Sequence, residues 1–308
     1  MSSAIEKTMN ARTWALLITL SLLWGGSFFF VGVAVKELPM LTLVFCRVSI
    51  AAVVLWLIVF ATGKPIPNSL AAWLAFLFMG ILNNVIPFTL IVWGQSYIDS
   101  GLASIFNATT PLFGVLIAGL LLADEKLSYS KLLGVICGFI GTAYMIGFAE
   151  LTFDGNALLP QLAIIAAAVS YGFASVYGRR FKTMGLHPIT TAAGQVMASA
   201  LLLLPISLLV DQPLSLSMPS LGVWLSVVAL AVFSTSLAYI LYFKILSSAG
   251  AVNLSLVTFL IPVSAIVLGY YFLDERLSSQ HFIGMALIGL GLSIIDGRLW
   301  SSKKSVAG

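Results

Sequence analysis

The sequence predicts an all-α integral membrane protein with ten transmembrane helices, built as two inverted five-helix repeats. Three observations lead to this prediction. Only 8 % of the 308 residues are charged, uncharged segments long enough to span a bilayer recur throughout, and the second half of the sequence repeats features of the first. Soluble domains carry roughly 25 % charged residues. The strict polar and apolar alternation of membrane barrels is missing, so helices are the expected spanning elements.

Ten apolar segments correspond to the predicted helices. The domain 1–148 holds five of them, at about 13–35, 38–62, 69–93, 101–122 and 132–148, and the domain 149–308 holds the others, at about 157–178, 189–210, 220–243, 251–272 and 280–298. Pro39 and Pro188 open the second helix of their domains, where a missing N–H requires no partner. The first segment is too long for the apolar region of a signal peptide, so we expect it to remain as a helix.

The two domains are related by a repeat of about half the chain length. Asp124-Glu125-Lys126-Leu127-Ser128 returns as Asp274-Glu275-Arg276-Leu277-Ser278, and Gly134 and Gly141 recur at the same spacing as Gly284 and Gly291. Such a period indicates a duplication. Because each copy has an odd number of spans, the second copy enters the membrane from the opposite side. Inverted repeats of this kind are typical of secondary transporters.

Lysine and arginine positions predict the orientation of the chain. Basic residues near span ends remain cytoplasmic. With the N-terminus inside, only Lys36 and Arg276 are external among the basic residues outside the spans. Both termini are therefore predicted to be cytoplasmic, and the short loops favour a bacterial inner (plasma) membrane. The net charge of +4 reflects this asymmetry and does not indicate nucleic-acid binding.

Arg47 is the one formal charge well inside a predicted span. It lies about nine residues in, roughly 13 Å from the start of the helix. A buried arginine costs several kcal/mol, so another group must offset it. Its planar guanidinium could bind a substrate carboxylate, or it could tie helices together through backbone carbonyls or amide side chains. By the repeat, Arg47 falls opposite Gln195.

Other polar and aromatic residues inside the spans are candidates to line a substrate site. Amides in lipid usually bond between helices, but as a group they could also recognise a zwitterion. Trp24 and Tyr171 each lie near the middle of the first span of their domain, too deep for an interfacial belt, and either line a cavity or pack between helices. The candidate site residues are Trp24, Arg47, Asn83, Asn84, Asn107, Tyr171, Gln195 and Tyr239.

Proline and glycine predict helix bends and close contacts. Pro111 and Pro262 remove a hydrogen bond in mid-span and should bend the fourth helix of each domain, as gating hinges or as static kinks. Gly134, Gly138 and Gly141 form a small-residue face, which predicts close helix contact within the chain or between two copies in a homodimer.

The sequence gives no indication of an enzyme. No Asp, Glu or His lies well inside a predicted span, and both histidines, His187 and His281, are at span ends. A protease would require paired aspartates or an activated nucleophile, and a phosphate-binding glycine loop is missing as well. We therefore expect no catalytic residues, no cofactor and no metal site. Proton relays usually need carboxylates inside the membrane, and only Glu37 and Asp99, at outer span ends, are candidates.

The sequence resembles the EamA-type members of the drug/metabolite transporter superfamily over nearly its whole length. The resemblance rests on Trp24-Gly25-Gly26-Ser27-Phe28, Arg47, Gly101-Leu102-Ala103-Ser104, Thr110-Pro111 and the two acidic turns. It implies a ten-helix carrier with cytoplasmic termini, a central cavity between the two halves, and export of amino acids or related metabolites.

The sequence therefore predicts a secondary transporter that exports small amphiphilic metabolites, with amino acids as the first candidates, by alternating access. The missing carboxylates favour facilitated diffusion or exchange. Two alternatives stay open: a proton-coupled multidrug or metabolite efflux carrier, and a membrane scaffold without transport activity. The inverted repeat argues against a scaffold, because a scaffold gains nothing from it.

Overall fold

The structure is a computed structural model, which describes residues 10–98, 100–125, 128–146, 155–272 and 279–296, and all regular elements in these ranges are helical. Asp99 and the second acidic turn at Asp274 lie outside the described residues. The predicted all-α class is confirmed. The helices are α1 (Ala11–Ala34), α2 (Met40–Ala61), α3 (Leu70–Gly80), α4 (Ile86–Gln95), α5 (Ser100–Asn107), α6 (Thr110–Leu121), α7 (Tyr129–Ile146), α8 (Gly155–Gly178), α9 (Arg180–Thr183), α10 (Pro188–Val210), α11 (Leu221–Ala231), α12 (Ala238–Ser255), α13 (Val257–Phe272) and α14 (Ser279–Asp296).

Seven continuous helical runs in the described part of the chain are long and apolar enough to cross a membrane. They are Ala11–Ala34, Met40–Ala61, Leu70–Gln95, Leu102–Leu121, Leu158–Thr183, Pro188–Val210 and Leu221–Ser255. Helices α7, α13 and α14 lie over the predicted spans 132–148, 251–272 and 280–298. The chain therefore has several membrane-spanning helices, and the count of ten stays a prediction.

Apolar side chains cover the outside of the bundle and polar side chains lie inside it. Leu120 and Leu209 are each 78 % exposed, whereas Asn84, Gln195 and Thr235 are fully buried. Hydrocarbon offers no hydrogen bonds, so polar groups in a membrane protein must find their partners between helices. The groups that could bind a polar solute therefore lie in the interior of the bundle.

Two long helices change their winding in mid-course. A π-helical segment, Ile81–Val85, joins α3 to α4, and a second one, Val232–Leu237, joins α11 to α12. A π turn is wider than an α turn and leaves backbone carbonyls without their regular partners, which is why such segments are frequent at functional sites. The two segments start 151 residues apart, the same offset that separates Pro111 from Pro262.

Helices near the centre of the bundle are also interrupted. Helix α5 stops at Asn107 and α6 starts at Thr110, so Pro111 occupies the first turn of α6. The prediction that Pro111 bends a helix in mid-span is therefore wrong. The helix breaks just before Pro111, and a proline in the first turn of a helix costs no hydrogen bond. Pro262 lies inside α13, after a break at Leu256. Gly250, with φ 85°, interrupts α12 in a conformation that favours glycine.

Glycines bring α7 and α14 into close contact. A Cβ atom built on Gly134 would lie 2.6 Å from the Gly291 carbonyl oxygen, and one built on Gly291 would lie 2.5 Å from the Gly134 carbonyl oxygen and 2.7 Å from the Gly138 nitrogen. Neither position can take a larger residue unless the backbones separate. The predicted small-residue face is thus used within the chain, and the homodimer stays a prediction.

Replacing Gly291 by alanine should destabilise the protein, because the added methyl group meets backbone atoms of α7. We expect Gly291→Ala to lower the free energy of unfolding by about 1–3 kcal/mol, the usual cost of overpacking. Gly289→Ala on the same helix is the matched control, since its Cβ would meet nothing within 4 Å. Thermal unfolding of the detergent-solubilised proteins measures both, and equal melting temperatures would contradict the close packing of α7 and α14.

Candidate functional site

A cavity lies inside the bundle between helices α1, α2, α4, α5, α6, α8, α12 and α13. It offers about 70 Å³ to the centres of water molecules, several times the roughly 10–15 Å³ that one buried water needs. Its wall includes Val31 near the end of α1 and Gln95 at the end of α4, and this end of the bundle is here called the Gln95 face. Its wall is mostly apolar and aromatic, and the side chains used below are Trp24, Phe28, Arg47, Phe88, Gln95, Asn107, Tyr171, Tyr242 and Ser255.

Arg47 places a positive charge in the cavity wall. The side chain is only 5 % exposed, and its Cζ lies 3.6 Å from the centre of the Phe88 ring. Nε donates a 2.8 Å hydrogen bond to the Thr235 hydroxyl, and Nη2 lies 3.5 Å from the Ser234 carbonyl oxygen. Among the described residues, no carboxylate lies within ion-pair distance of Arg47. The guanidinium is therefore held by neutral groups and a ring face.

The second π-helical segment supplies the acceptors that hold Arg47. The Ser234 carbonyl oxygen also accepts a 3.2 Å hydrogen bond from Trp24 Nε1, and the Ser234 hydroxyl donates to the Leu23 carbonyl at 2.6 Å. The Thr235 hydroxyl donates to the Leu230 carbonyl, which leaves its lone pairs to accept from Arg47. The π turn thus turns backbone and hydroxyl oxygens toward the cation.

The first π-helical segment makes a similar contact with α10, but with amides. Asn83 donates from Nδ2 to Gln195 Oε1 at 3.2 Å, and Asn84 donates to the Ser199 hydroxyl at 2.8 Å. The Tyr239 hydroxyl donates to Asn84 Oδ1 at 2.5 Å and also lies 2.9 Å from the Asn83 carbonyl oxygen. Each π-helical segment is thus bonded to a helix from the other half of the chain.

Gln95 brings an amide to the cavity wall at the end of α4. Its Nε2 donates to the Phe28 carbonyl oxygen at 3.2 Å and to the Ser100 hydroxyl at 2.8 Å, and Ser100 in turn donates to the same carbonyl. Gln95 Oε1 is buried and has no hydrogen-bond partner in the part of the chain that the structure describes. The same is true of Asn107 Oδ1 and of the Tyr242 hydroxyl.

Charged groups hold the two halves together at the end of the bundle away from Gln95, here called the Arg179 face. Arg179 binds both carboxylates of the first acidic turn: it contacts Asp124 and donates to Glu125 Oε1 at 3.0 Å. Hydrogen bonding from Arg179 lowers the pKa of Asp124. Glu125 is buried and also accepts the backbone N–H groups of Ala251 and Val252 at 3.1 and 3.0 Å. These contacts bind the first acidic turn to Arg179 and to the backbone directly after the Gly250 interruption.

Carboxylates also join the two halves at the Gln95 face. Asp211 accepts the Thr42 N–H at 2.7 Å, at the start of α2. Glu37 accepts the Ser220 N–H at 2.7 Å and the Ser220 hydroxyl at 2.8 Å, at the start of α11. Both hydrogen bonds lower the pKa of Glu37, and the bond from the Ser220 backbone N–H has the larger effect.

The model of the EamA-like transporter family matches this chain twice, at residues 12–147 and 158–295. The chain belongs to the EamA-like transporter family. The matched residues make up most of the sequence, so the family resemblance inferred from the motifs is confirmed. The family and the names of its relatives indicate a multi-pass membrane transporter and not an enzyme.

Several relatives of this EamA-like transporter extend over nearly its full length. The uncharacterized transporter YoaV of Bacillus subtilis is 27 % identical over 90 % of this chain and 94 % of that protein. The uncharacterized inner membrane transporter YedA of Escherichia coli K12 is 24 % identical over 91 % and 89 %. A crystal structure with 22 % identity covers 93 % of this chain and 98 % of its own with a TM-score of 0.75, which shows a shared fold.

The predicted site residues of this EamA-like transporter fall into two groups. Trp24, Arg47, Asn107 and Tyr171 line the cavity. The remaining candidates, Asn83, Asn84, Gln195 and Tyr239, are not among its lining residues; they form the hydrogen-bonded network of the first π-helical segment. These four side chains lie between helices, and within the described residues only Asn83 Oδ1 and Gln195 Nε2 among their buried polar atoms have no hydrogen-bond partner.

Sequence reasoning missed Gln95, Phe88 and the Ser234-Thr235 pair. A glutamine near a span end could have been included with Gln195, and the 151-residue offset places Ser234 and Thr235 opposite Asn83 and Asn84. That offset was a usable signal. Phe88 gave none, because one phenylalanine in an apolar span is indistinguishable from its neighbours until the fold sets it against Arg47.

Glu125→Gln should loosen the Arg179 face, since the new amide donor confronts the N–H groups of Ala251 or Val252. The reporter is a cysteine introduced in the cavity wall by Ser255→Cys, in a protein whose own cysteines are removed by Cys46→Ser and Cys137→Ser. We expect Glu125→Gln to make labelling of this reporter from the Arg179 face roughly ten-fold faster. This is the effect of losing one hydrogen bond to a charged group, about 1.5 kcal/mol. A membrane-impermeant thiol reagent on oriented vesicles measures it.

Asp211→Asn is the control, because it removes a carboxylate contact from the opposite face. It should leave labelling from the Arg179 face unchanged. Equal labelling in the wild-type and Glu125→Gln backgrounds would show that Glu125 does not close this end.

Proposed function

We propose that this protein is a secondary transporter that exports amino acids or similar small metabolites by alternating access. One observation supports the proposed substrate class. Arg47 is a buried cation in the wall of the internal cavity, and no carboxylate within the described residues neutralises it. A buried, unneutralised charge is unfavourable, so an anionic group in the cavity stabilises it.

Arg47 is the proposed carboxylate anchor. Its Nε and Nη2 face Thr235 and Ser234, while Nη1 makes no hydrogen bond with the described residues. The guanidinium fork binds carboxylates through paired N–H groups, and its stacking on Phe88 restricts its rotation. Trp24, Asn107 and Tyr171, together with the remaining candidates Asn83, Asn84, Gln195 and Tyr239, are proposed to shape or support this site.

The alternating-access part of the proposal rests on the paired architecture. The domains 1–148 and 149–308 are proposed as inverted repeats of five helices each. Two family matches, two π-helical segments at the 151-residue offset, and reciprocal bonds from each segment to the other half all support this arrangement. Pro111 and Pro262, which follow helix breaks beside the cavity, are the proposed hinges.

The side of opening and the direction of transport follow from the charge distribution. The Arg179 face carries Arg179, Arg180 and Lys182, which are predicted to be cytoplasmic, and the cavity wall includes Gln95 at the opposite face. We propose that both termini are cytoplasmic, that the protein resides in the inner membrane, and that export runs from the Arg179 face to the Gln95 face. The name of the relative YedA, an inner membrane transporter, supports the location.

Transport is proposed to proceed by facilitated diffusion or exchange. Proton coupling would require a carboxyl group that gains and loses a proton during the cycle. Ser220 lowers the pKa of Glu37, so this carboxylate stays ionised at neutral pH. Glu37 is therefore a poor proton carrier.

Counterflow in proteoliposomes tests the substrate class. Proteoliposomes that contain the wild-type protein and are loaded with unlabelled L-phenylalanine, L-leucine or L-serine should accumulate the same labelled amino acid from outside. Arg47→Gln should reduce the initial rate of this uptake by about 100-fold, because it removes about 3 kcal/mol of hydrogen bonding to a charged group. Arg180→Gln is the control, because Arg180 contacts Tyr177 outside the cavity. Counterflow of cationic drugs in place of amino acids would favour the multidrug carrier, and the absence of any flux would favour a scaffold.

A pH gradient should leave the net flux unchanged. Collapsing the gradient with an ionophore is expected to alter the initial efflux rate of the transported amino acid by less than two-fold, and Glu37→Gln should transport at close to the wild-type rate. Loss of transport when the gradient is collapsed would replace the exchange mechanism with proton coupling, whereas loss in Glu37→Gln alone would show that its contact with Ser220 supports transport.

A further inference from the structure

The hydrogen bonds of Gln95 fix which way its amide group points. Nε2 carries two hydrogens, and both are used, on the Phe28 carbonyl oxygen at 3.2 Å and the Ser100 hydroxyl at 2.8 Å. A rotated amide would set Oε1 against the Phe28 carbonyl, where two acceptors repel. The Ser100 hydroxyl has one hydrogen, which could point to the Phe28 carbonyl or to a rotated Oε1, and in either case the two carbonyl oxygens would still face each other. Oε1 therefore faces away from the helix contact.

Gln95 Oε1 is a buried acceptor without a donor in the described chain. The side chain is 8 % exposed and lines the cavity, and the carbonyl oxygen has no partner. Asn107, which is 4 % exposed and lines the same cavity, presents a second unpartnered oxygen, Oδ1. Buried acceptors left unpaired are costly, so these two oxygens in the cavity wall favour a solute that brings a hydrogen-bond donor into the cavity.

We propose that Gln95, with Asn107, forms a subsite for the ammonium group of the substrate. This inference rests on the proposed function, in which Arg47 binds the carboxylate. An ammonium group has three hydrogens and no lone pair, which suits two carbonyl oxygens. The aromatic faces of the wall add cation–π attraction for the same group. Gln95 thus determines that zwitterionic amino acids are preferred over simple carboxylic acids.

The same geometry selects against two other solute classes. A dicarboxylate would bring its second carboxylate against the Gln95 carbonyl oxygen, an acceptor against an acceptor. A simple cation would lie in the same cavity as the Arg47 guanidinium, with no carboxylate of its own to offset the repulsion. A solute with both charges satisfies both ends of the site.

The test compares solutes that differ only in the ammonium group. Initial counterflow rates are measured for L-phenylalanine against 3-phenylpropanoate, and for L-leucine against 4-methylpentanoate. The wild type should prefer the amino acid by about ten-fold or more, the effect of a hydrogen bond to a charged group. Gln95→Met, which keeps the length of the side chain and removes the acceptor, should slow the amino acid by about ten-fold and leave the carboxylic acid within about two-fold.

Two controls separate a binding role from a structural one. Ser100→Ala removes a bond of Gln95 but keeps Oε1, so the preference should persist. Arg47→Gln should slow both members of each pair. If Gln95→Met slows both equally, or neither, the ammonium subsite is wrong while the carboxylate site stands. If the wild type transports neither member of either pair, the proposed function itself fails and the subsite fails with it.

Discussion

The central physical constraint of this structure is the buried guanidinium of Arg47. Removing an arginine from water costs several kcal/mol, and a membrane protein cannot recover this cost from solvent. Neighbouring groups offset part of this cost. A π-helical turn presents the Ser234 carbonyl and the Thr235 hydroxyl to the guanidinium, and Phe88 covers one face of it. Neutral partners reduce the cost without cancelling the charge. The cavity therefore keeps a positive end that an anionic group can occupy.

The two π-helical segments explain how a cavity and a connected bundle coexist. A regular α-helix satisfies its own backbone and offers nothing sideways, whereas a π turn frees carbonyl groups for side chains of neighbouring helices. Ser170 donates to the Leu82 carbonyl in the first segment, and Trp24 donates to the Ser234 carbonyl in the second. Helices from opposite halves are thus bonded at the bundle centre by a few polar contacts. Contacts of this kind can exchange without unpacking the apolar parts of the helices.

Much of the fold could be predicted from the sequence, and less of the site. Composition and apolar length determine that helices cross a membrane, and repeated turns reveal the duplication. The direction in which each side chain points could not be predicted, because hydropathy does not distinguish an amide directed at a cavity from one that binds a neighbouring helix. Asn107 and Asn84 look alike in the sequence, yet one lines the cavity and the other binds Ser199 and Tyr239. Gln95 was missed for the same reason, since its importance comes from Phe28 and Ser100, residues that only the fold brings to it.

The asymmetry between the two halves gives the site its polarity. The contacts of the two π-helical segments match in position but differ in charge: Arg47 meets Ser234 and Thr235, whereas its counterpart Gln195 meets Asn83. Two arginines would repel in so small a space, and two glutamines would leave no preference for a carboxylate. One charged contact and one neutral contact are compatible with the proposed exchange between two similar halves, while the cavity gains a cationic end at Arg47. With the acceptors of Gln95 and Asn107 in the same wall, the proposed substrate has a defined orientation, and its carboxylate competes with Ser234 and Thr235 for the guanidinium. Substrate binding thereby acts on a contact that joins the two halves.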